Sequence, residues 1–121
     1  MRFRQSAGGR SVPLSPQVFQ ILVSLVDGPR HGYAVIQDIR ERTADEVLLT
    51  ASTLYDALAR LLDQAWIEEV DSPVKDEPAG ARRRYYRLTA AGREAVRQEA
   101  ERLERQLATV RGTRLFSRKR S

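Results

Sequence analysis

The sequence predicts an α+β fold that is mostly α-helical: a winged helix-turn-helix followed by one long C-terminal helix. Apolar residues recur at helical spacing in four segments of the chain. One internal stretch changes from helical to alternating period, and the last helix carries an apolar heptad seam. At 121 residues, the chain has room for one domain and little more.

The first helix has the clearest predicted start. Ser15 is a suitable N-cap, Pro16 takes the first helical position, and Leu14 and Phe19 have the spacing of a hydrophobic staple. Its apolar positions are Val18, Ile21, Leu22 and Leu25. Asp27-Gly28-Pro29 is expected to end the helix.

Two further helices make the predicted helix-turn-helix. One begins near Gly32 and ends near Thr43, and the next begins after the candidate cap Thr50 and ends near Gln64. The apolar side of the later helix consists of Leu54, Leu58, Leu61 and Leu62, and its polar side of Ser52, Thr53, Asp56, Arg60 and Asp63. Between the two helices, residues 47–49 are a candidate short strand.

A hairpin is predicted directly after the helix-turn-helix. Residues 66–70 and 84–88 have strand character, and residues 71–81 between them contain two prolines, a glycine and many charges. Alternation along the second strand points Tyr86 and Leu88 inward and Tyr85 outward. Two strands joined by a charged loop at this place make a wing.

The last helix is predicted from Thr89 or Ala90 to about Arg111, with Gly112 as its stop. Its seam residues follow one another at intervals of 4, 3, 4 and 3, which is the rhythm of a coiled coil. These predicted dimerisation residues are Val96, Ala100, Leu103, Leu107 and Val110. Because the rest of the helix is polar, it needs one partner along one edge, and a second copy of the chain is the simplest partner.

Four segments are therefore expected. Residues 1–13 form a flexible basic N-terminal arm, and residues 14–88 form the winged-helix domain. Residues 89–112 form the dimerisation helix, and residues 113–121 form a basic tail.

Composition narrows the classes of function. The formal net charge is +5 and the isoelectric point is about 10.2, which suits an anionic partner such as nucleic acid. No apolar run is long enough for a membrane span or a secretory signal, so a cytoplasmic location is expected. With one histidine, no cysteine and no glycine-rich phosphate loop, we expect no metal site, no cofactor and no enzymatic activity.

The chain resembles the PadR family of bacterial transcriptional regulators over about Gln17 to Glu101. The matching stretches are Ile21-Leu22-Val23-Ser24-Leu25, Gly28-Pro29-Arg30-His31-Gly32-Tyr33, Ser52-Thr53-Leu54-Tyr55-Asp56-Ala57-Leu58 and Arg83-Arg84-Tyr85-Tyr86-Arg87-Leu88-Thr89-Ala90-Ala91-Gly92-Arg93. The resemblance implies a winged helix, a homodimer formed through the C-terminal helix, and repression that a small molecule or another signal relieves. The short C-terminus is similar to the branch of the family with a single dimerisation helix.

This sequence departs from the family pattern at two positions. The family commonly has proline where this chain has Asp56, and glycine where it has Ala65. Asp56 repels phosphate but can accept a hydrogen bond from a cytosine amino group, so the base preference is open. Some short members bind flat aromatic compounds against a Trp of the dimerisation helix. The one Trp here is Trp66, next to the wing, so that mode of binding is not carried over.

The predicted DNA-binding residues form three groups. On the third helix, Ser52, Thr53 and Asp56 lie near bases, with Arg60 further along the same face. Tyr55 is expected to be half buried, with its hydroxyl on a phosphate, and by resemblance Tyr33 reaches the DNA backbone. In the wing the basic residues are Lys75, Arg82, Arg83 and Arg84.

Each group also has a plainer interpretation. Ser52 and Thr53 could serve as helix caps, and the wing arginines could be an ordinary solvated charge run. His31 is interpreted as a turn or capping residue. The main alternative function is a winged helix that binds protein or senses an effector without an operator, which the acidic residues Asp56 and Asp63 favour.

Overall fold

The computed structural model describes residues 13–73 and 83–116, and the structural statements below concern those residues. Their elements are α1 (Pro16–Ser24), β1 (Arg30–His31), α2 (Gly32–Arg42), α3 (Ala51–Asp63), β2 (Ile67–Val70), β3 (Tyr85–Leu88) and α4 (Ala90–Arg111). The mostly helical α+β fold is confirmed, and it is a winged helix-turn-helix with a C-terminal helix. The four helices match the predicted segments, although α1 ends at Ser24, ahead of Asp27.

Each helix begins at a side chain that accepts a hydrogen bond from its first turn. Ser15 Oγ accepts from the Val18 N–H at 3.1 Å, and Pro16 follows it at the first helical position. Thr50 caps α3 in the same way, and Thr89 caps α4 through the Gly92 N–H. These caps are local in sequence, which is why the predicted helix starts are close to the observed ones.

The sheet has three antiparallel strands in the order β1-β3-β2. Arg30 pairs with Tyr86, and Ile67 pairs with Leu88, so β3 is the central strand. The candidate strand at residues 47–49 is wrong, because β1 occupies the free edge of β3 instead. In that run Leu49 is buried by side-chain packing and Leu48 is exposed.

Tyr85 lies on the face predicted for it, but it is buried there and does not point into solvent. Tyr85 and Tyr86 lie on opposite faces of β3, and both are buried. The ring of Tyr85 meets His31 edge-on, with 5.3 Å between the ring centroids. His31 belongs to the neighbouring strand β1 and pairs with Tyr85, so it packs against the tyrosine ring on this face.

The core lies between the helices and the sheet. It contains Ile21, Leu22, Leu25, Val35, Ile39, Leu49, Leu54, Ala57, Leu58, Leu61, Ile67, Tyr86 and Leu88. Trp66 and Val96 are partly buried against this cluster. In residues 13–73 and 83–116, no helix is both long enough and apolar enough to cross a membrane.

A tight turn joins α3 to β2 and also receives the start of α4. The Trp66 N–H donates to the Leu61 carbonyl and the Ala65 N–H to the Leu62 carbonyl, the pattern of a Schellman C-cap. Ala65 has φ of 61°, the left-handed conformation that favours glycine. Ala65, which stands where the family commonly has glycine, is therefore a strained residue, while the hydrogen bonds of the turn are intact.

Candidate nucleic-acid interface

The outward face of α3 carries all the polar residues predicted for it. Ser52, Thr53, Asp56 and Arg60 are exposed, while Leu54, Ala57, Leu58 and Leu61 are buried on the opposite face. Thr50 caps the helix, and its hydroxyl also lies 3.0 Å from the Thr53 hydroxyl. Thr50, and not Ser52 or Thr53, is therefore the N-cap of α3, and both of those residues are exposed near the helix start.

The start of α2 lies beside this face. His31 Nδ1 accepts a hydrogen bond from the Ala34 N–H at 3.1 Å, so the interpretation of His31 as a capping residue is confirmed. Tyr33 is 63% exposed, and its hydroxyl oxygen accepts from Gln37 Nε2 at 2.8 Å. Its ring stacks near His31, with centroids 6.5 Å apart. The phenol of Tyr33 is therefore exposed to solvent while its hydrogen bond with Gln37 fixes its position.

Tyr55 reaches from α3 to the first turn of α2. It is 47% exposed, in agreement with the half-buried position predicted from its stripe. A Cβ atom built on Gly32 would lie 2.3 Å from the Tyr55 hydroxyl oxygen, so a larger residue there would displace the phenol from its place against α2. Gly32 is thus a residue that positions Tyr55, and its role was not predicted beyond its place in the family resemblance.

Four of the predicted DNA-binding residues meet at one cleft. The cleft has a volume of about 190 Å³, and its lining residues are His31, Gly32, Tyr33, Tyr55, Arg83 and Arg84. We call it the α2 cleft. It combines two phenol hydroxyls, two guanidinium groups and the N-terminus of an 11-residue helix. Free N–H groups at a helix N-terminus and arginine side chains both favour phosphate.

The two arginines of the α2 cleft differ in their partners. Arg84 Nε lies 3.4 Å from Glu69 Oε2 across the hairpin, and both side chains are largely exposed. Burial raises the pKa of the Tyr86 phenol, and a hydrogen bond with Arg84 opposes that rise. Arg83 makes no ion pair with any residue in 13–73 or 83–116. Arg84 is therefore partly held by the sheet, and Arg83 is the arginine that extends from it.

Two predicted contacts, Lys75 and Arg82, lie outside the described residues. Arg60 is exposed on α3, and it lies beyond the α2 cleft. Asp56 is exposed and makes no ion pair within the described part of the chain, so its carboxylate is available to an incoming partner.

The predicted dimerisation residues separate into two sets along α4. Val96 is partly buried against the core of its own chain. Ala100 is exposed, and the large apolar residues that follow are exposed as well: Leu103 by 39%, Leu107 by 48% and Val110 by 41%. The outward apolar edge is thus confined to the distal half of α4.

Glu99 is a residue that sequence patterns did not single out. It is almost fully buried, and its carboxylate accepts from the Leu14 N–H at 3.3 Å and from Arg102 Nε at 2.9 Å. Its hydrogen bonds with Arg102, followed by the one from Leu14, hold the pKa of this carboxyl below its ordinary value. Glu99 joins the segment before α1 to α4. It thereby supports the fold of the winged-helix head, which comprises the elements from α1 to β3 and the first half of α4.

The fold is that of a winged helix-turn-helix protein with a C-terminal helix, and the polar face of α3 is exposed. Residues 21–98, more than half of the chain, match the family described as Transcriptional regulator PadR-like. The chain belongs to the PadR-like family of transcriptional regulators.

The chain is also similar to individual proteins. An uncharacterised protein of Lysinibacillus sphaericus is 34% identical over 85 residues, which cover 67% of this chain and 75% of that protein. A PadR family transcription regulator from Clostridium difficile, whose crystal structure is known, is 28% identical in sequence to this chain. The two structures match with a TM-score of 0.65 over 78% of this chain and 92% of that one.

Bacillus subtilis PadR, solved in complex with operator DNA, has a TM-score of 0.59 with this chain. It is 21% identical, and the match covers 71% of this chain and 47% of that one. At this identity the likeness concerns the fold.

Proposed function

We propose that this chain binds a double-stranded DNA operator as a homodimer and represses transcription until a small-molecule effector or another signal releases it. The observation that carries the proposal is the α2 cleft. Tyr33, Tyr55 and Arg83 line it together, beside an α3 face whose hydroxyls point to solvent. The function is binding rather than catalysis, and a cytoplasmic location accompanies it because the operator lies there.

The residues take separate parts in this proposal. The α2 cleft and Arg83 contact phosphates, which positions the domain without reading sequence. Ser52, Thr53 and Asp56 face the base edges in the major groove, and Arg60 extends along the same face. Asp56 selects against bases whose groove edge offers only acceptors, because its carboxylate needs a donor.

Homodimerisation is supported by the exposed Leu103, Leu107 and Val110 of α4. Two copies that pack along these residues by a two-fold axis carry a formal charge of twice +5. The two α3 helices then need a separation of about 34–36 Å to enter successive turns of the major groove. Small-angle scattering or a crystal structure of the dimer measures that separation.

A mobility-shift assay with DNA from upstream of the protein's own gene tests the proposal. Its matched variants are Arg83→Ala in the α2 cleft and Arg105→Ala on the face of α4 that lies opposite the seam. Both remove one charge per chain. If each copy of Arg83 contacts one phosphate, the variant dimer loses about two units of slope in log K against log salt, since each contact contributes about 0.9.

Arg105→Ala should leave both the slope and the affinity nearly unchanged. A specific complex that Arg83→Ala and Arg105→Ala weaken equally would contradict the role given to the α2 cleft. No specific complex at any salt concentration would contradict the function itself.

The second candidate function is a winged helix that binds protein without an operator. It is favoured by the exposed carboxylates of Asp56 and Asp63 on α3. A dimer in which the two α3 helices diverge, or in which the face that carries them is electrostatically neutral, would favour this alternative.

A further inference from the structure

A second cleft lies on the other side of α3, between its C-terminal half and the start of α1. It has a volume of about 320 Å³, at the lower end of the range for small-molecule sites. Leu14 and Val18 line it from the α1 side, and Leu61 and Trp66 from the α3 side. We call it the Trp66 cleft. Its walls are mainly apolar, so a hydrocarbon body is the part of a ligand that it favours.

Three polar residues line the Trp66 cleft. The hydroxyl of Ser15 already caps α1. Arg60 of α3 and Gln64, the C-cap residue one turn later, contribute a guanidinium and an amide. Arg60 is exposed and makes no ion pair within residues 13–73 and 83–116. A guanidinium beside an apolar wall recognises a carboxylate through paired, charge-assisted hydrogen bonds. The ligand chemistry is therefore an apolar body with a single carboxylate.

The position of the cleft connects three parts of the molecule. Leu14, which lines it, donates its N–H to the buried Glu99 of α4. The Glu99 carboxylate is itself paired with Arg102, so its charge is largely neutralised toward an incoming anion. Arg60 belongs both to this cleft and to the outward face of α3. A carboxylate that holds Arg60 removes it from DNA.

We propose that the Trp66 cleft binds a small amphiphilic carboxylate, and that its occupation weakens DNA binding through Arg60. The regulatory half of this proposal rests on the DNA-binding function proposed above. The binding half does not, because it concerns a site that can be observed on the free protein.

Trp66 allows a direct test, because the chain contains one tryptophan and its indole N–H gives one NMR signal. The probes are octanoate and the neutral octanamide, each titrated into the full chain. Octanoate should shift the indole signal in a saturable way. Arg60→Gln should raise the Kd for octanoate by about tenfold, the loss expected for one partly exposed charged hydrogen bond. The same variant should leave the Kd for octanamide unchanged.

Two further variants control the experiment. Arg105→Gln removes the same charge on α4, away from the cleft, and should leave both titrations unchanged. Val18→Phe fills the cleft with a ring and should abolish binding of both probes, while urea denaturation verifies that this variant is folded. An indole signal that does not respond to octanoate, or equal weakening by Arg60→Gln and Arg105→Gln, would overturn the site.

The same experiment shows whether a second copy of the chain covers the Trp66 cleft. If a second copy of the chain occupies it, the indole signal will shift on dilution of the protein and will not respond to octanoate, which overturns the proposal. Mobility shifts with and without octanoate then separate the two claims. Octanoate binding in a protein that never binds DNA refutes the proposed function and leaves the site, whereas DNA binding without an octanoate response of Trp66 does the reverse.

Discussion

The two halves of α4 differ in what they rest on. Residues 90–99 pack on the head, where Gly92 and Glu99 are buried and Val96 touches the core. Residues 100–111 have exposed apolar side chains at Leu103, Leu107 and Val110 and contribute no member to the core cluster. The first half is packed within its own chain, whereas the apolar side chains of the second half are left exposed there, as a surface for a partner would be.

The largest expected effect is at the distal half. Leu107→Glu should give a monomer, because it places a charge in the proposed seam. Operator affinity should fall by at least about a hundredfold as the two heads lose their linkage. Sedimentation gives the mass of the particle, and a mobility-shift assay gives the affinity.

Ala108→Glu is the control for Leu107→Glu, since it adds the same charge at a neighbouring exposed position outside the seam. It should remain dimeric and bind normally. A Leu107→Glu variant that remains dimeric would contradict the contrast between the halves of α4. A monomer with unchanged operator affinity would instead contradict the requirement for a dimer in operator binding.

The proximal half should be the more sensitive to added volume. A Cβ atom on Gly92 would lie 2.0 Å from the Trp66 carbonyl oxygen, a backbone atom that cannot rotate away. Gly92→Ala should therefore lower the free energy of unfolding by about 1–3 kcal/mol, measured by urea denaturation. Gly112→Ala, whose Cβ would have no neighbour closer than 3.5 Å, should change it by less than about 1 kcal/mol. Equal losses in the two variants would contradict the contrast.

Glu99 makes the stability of the proximal half depend on pH. Its folded-state pKa lies below the value of about 4.3 for an unfolded glutamate. The carboxylate therefore stabilises the fold above that pH, and this contribution is lost as the pH falls through the folded-state pKa. At pH 7, Glu99→Gln should lower the free energy of unfolding by about 1–2 kcal/mol.

The difference between wild type and Glu99→Gln should shrink as the pH is lowered from about 5 to 3. Urea denaturation at several pH values measures it. Glu104→Gln, at an exposed position on the distal half, is the control and should follow wild type throughout. A pH-independent difference for Glu99→Gln would contradict a role for the ionised carboxylate.

The smallest effect is expected at the turn before β2. Ala65→Gly relieves the left-handed backbone at φ of 61° and should raise the free energy of unfolding by up to about 1 kcal/mol. Ala108→Gly, in the exposed interior of α4, should lower it by a similar amount. The two substitutions are chemically identical, so opposite signs in urea denaturation would isolate the backbone conformation as the cause.

The features that the sequence predicted well are local ones. Caps such as Ser15 and Thr50 bond to residues three positions away, and the buried stripe of α3 repeats within one helix. The polar face of α3 follows from the same periodicity. The resemblance of the chain to the PadR family additionally identified Tyr33. Periodicity could not identify it, because its place beside α3 depends on the packing of α2 against α3.

The features that were missed depend on distant partners. Strand β1 is two residues long, too short for any alternating pattern, and its pairing with Tyr85 and Tyr86 crosses most of the domain. Glu99 occupies a polar position on an amphipathic helix, and its backbone partner Leu14 is 85 residues away. The spacing of apolar residues predicts neither contact, because each contact joins segments that are far apart in the sequence and meet only in the folded structure.

The bonds between Thr89 and the turn after α3 have a consequence for the length of the wing. The Thr89 N–H donates to the Trp66 carbonyl at 3.0 Å, and the Thr89 hydroxyl donates to the Ala65 carbonyl at 2.6 Å. The chain thus leaves the domain and re-enters it at a single point. Insertions between Val70 and Tyr85 would therefore leave the buried strand residues Ile67 and Leu88, and the start of α4, in place. In the proposed dimer, such insertions would change the reach of the wing along the DNA while the spacing of the two winged-helix heads stays fixed.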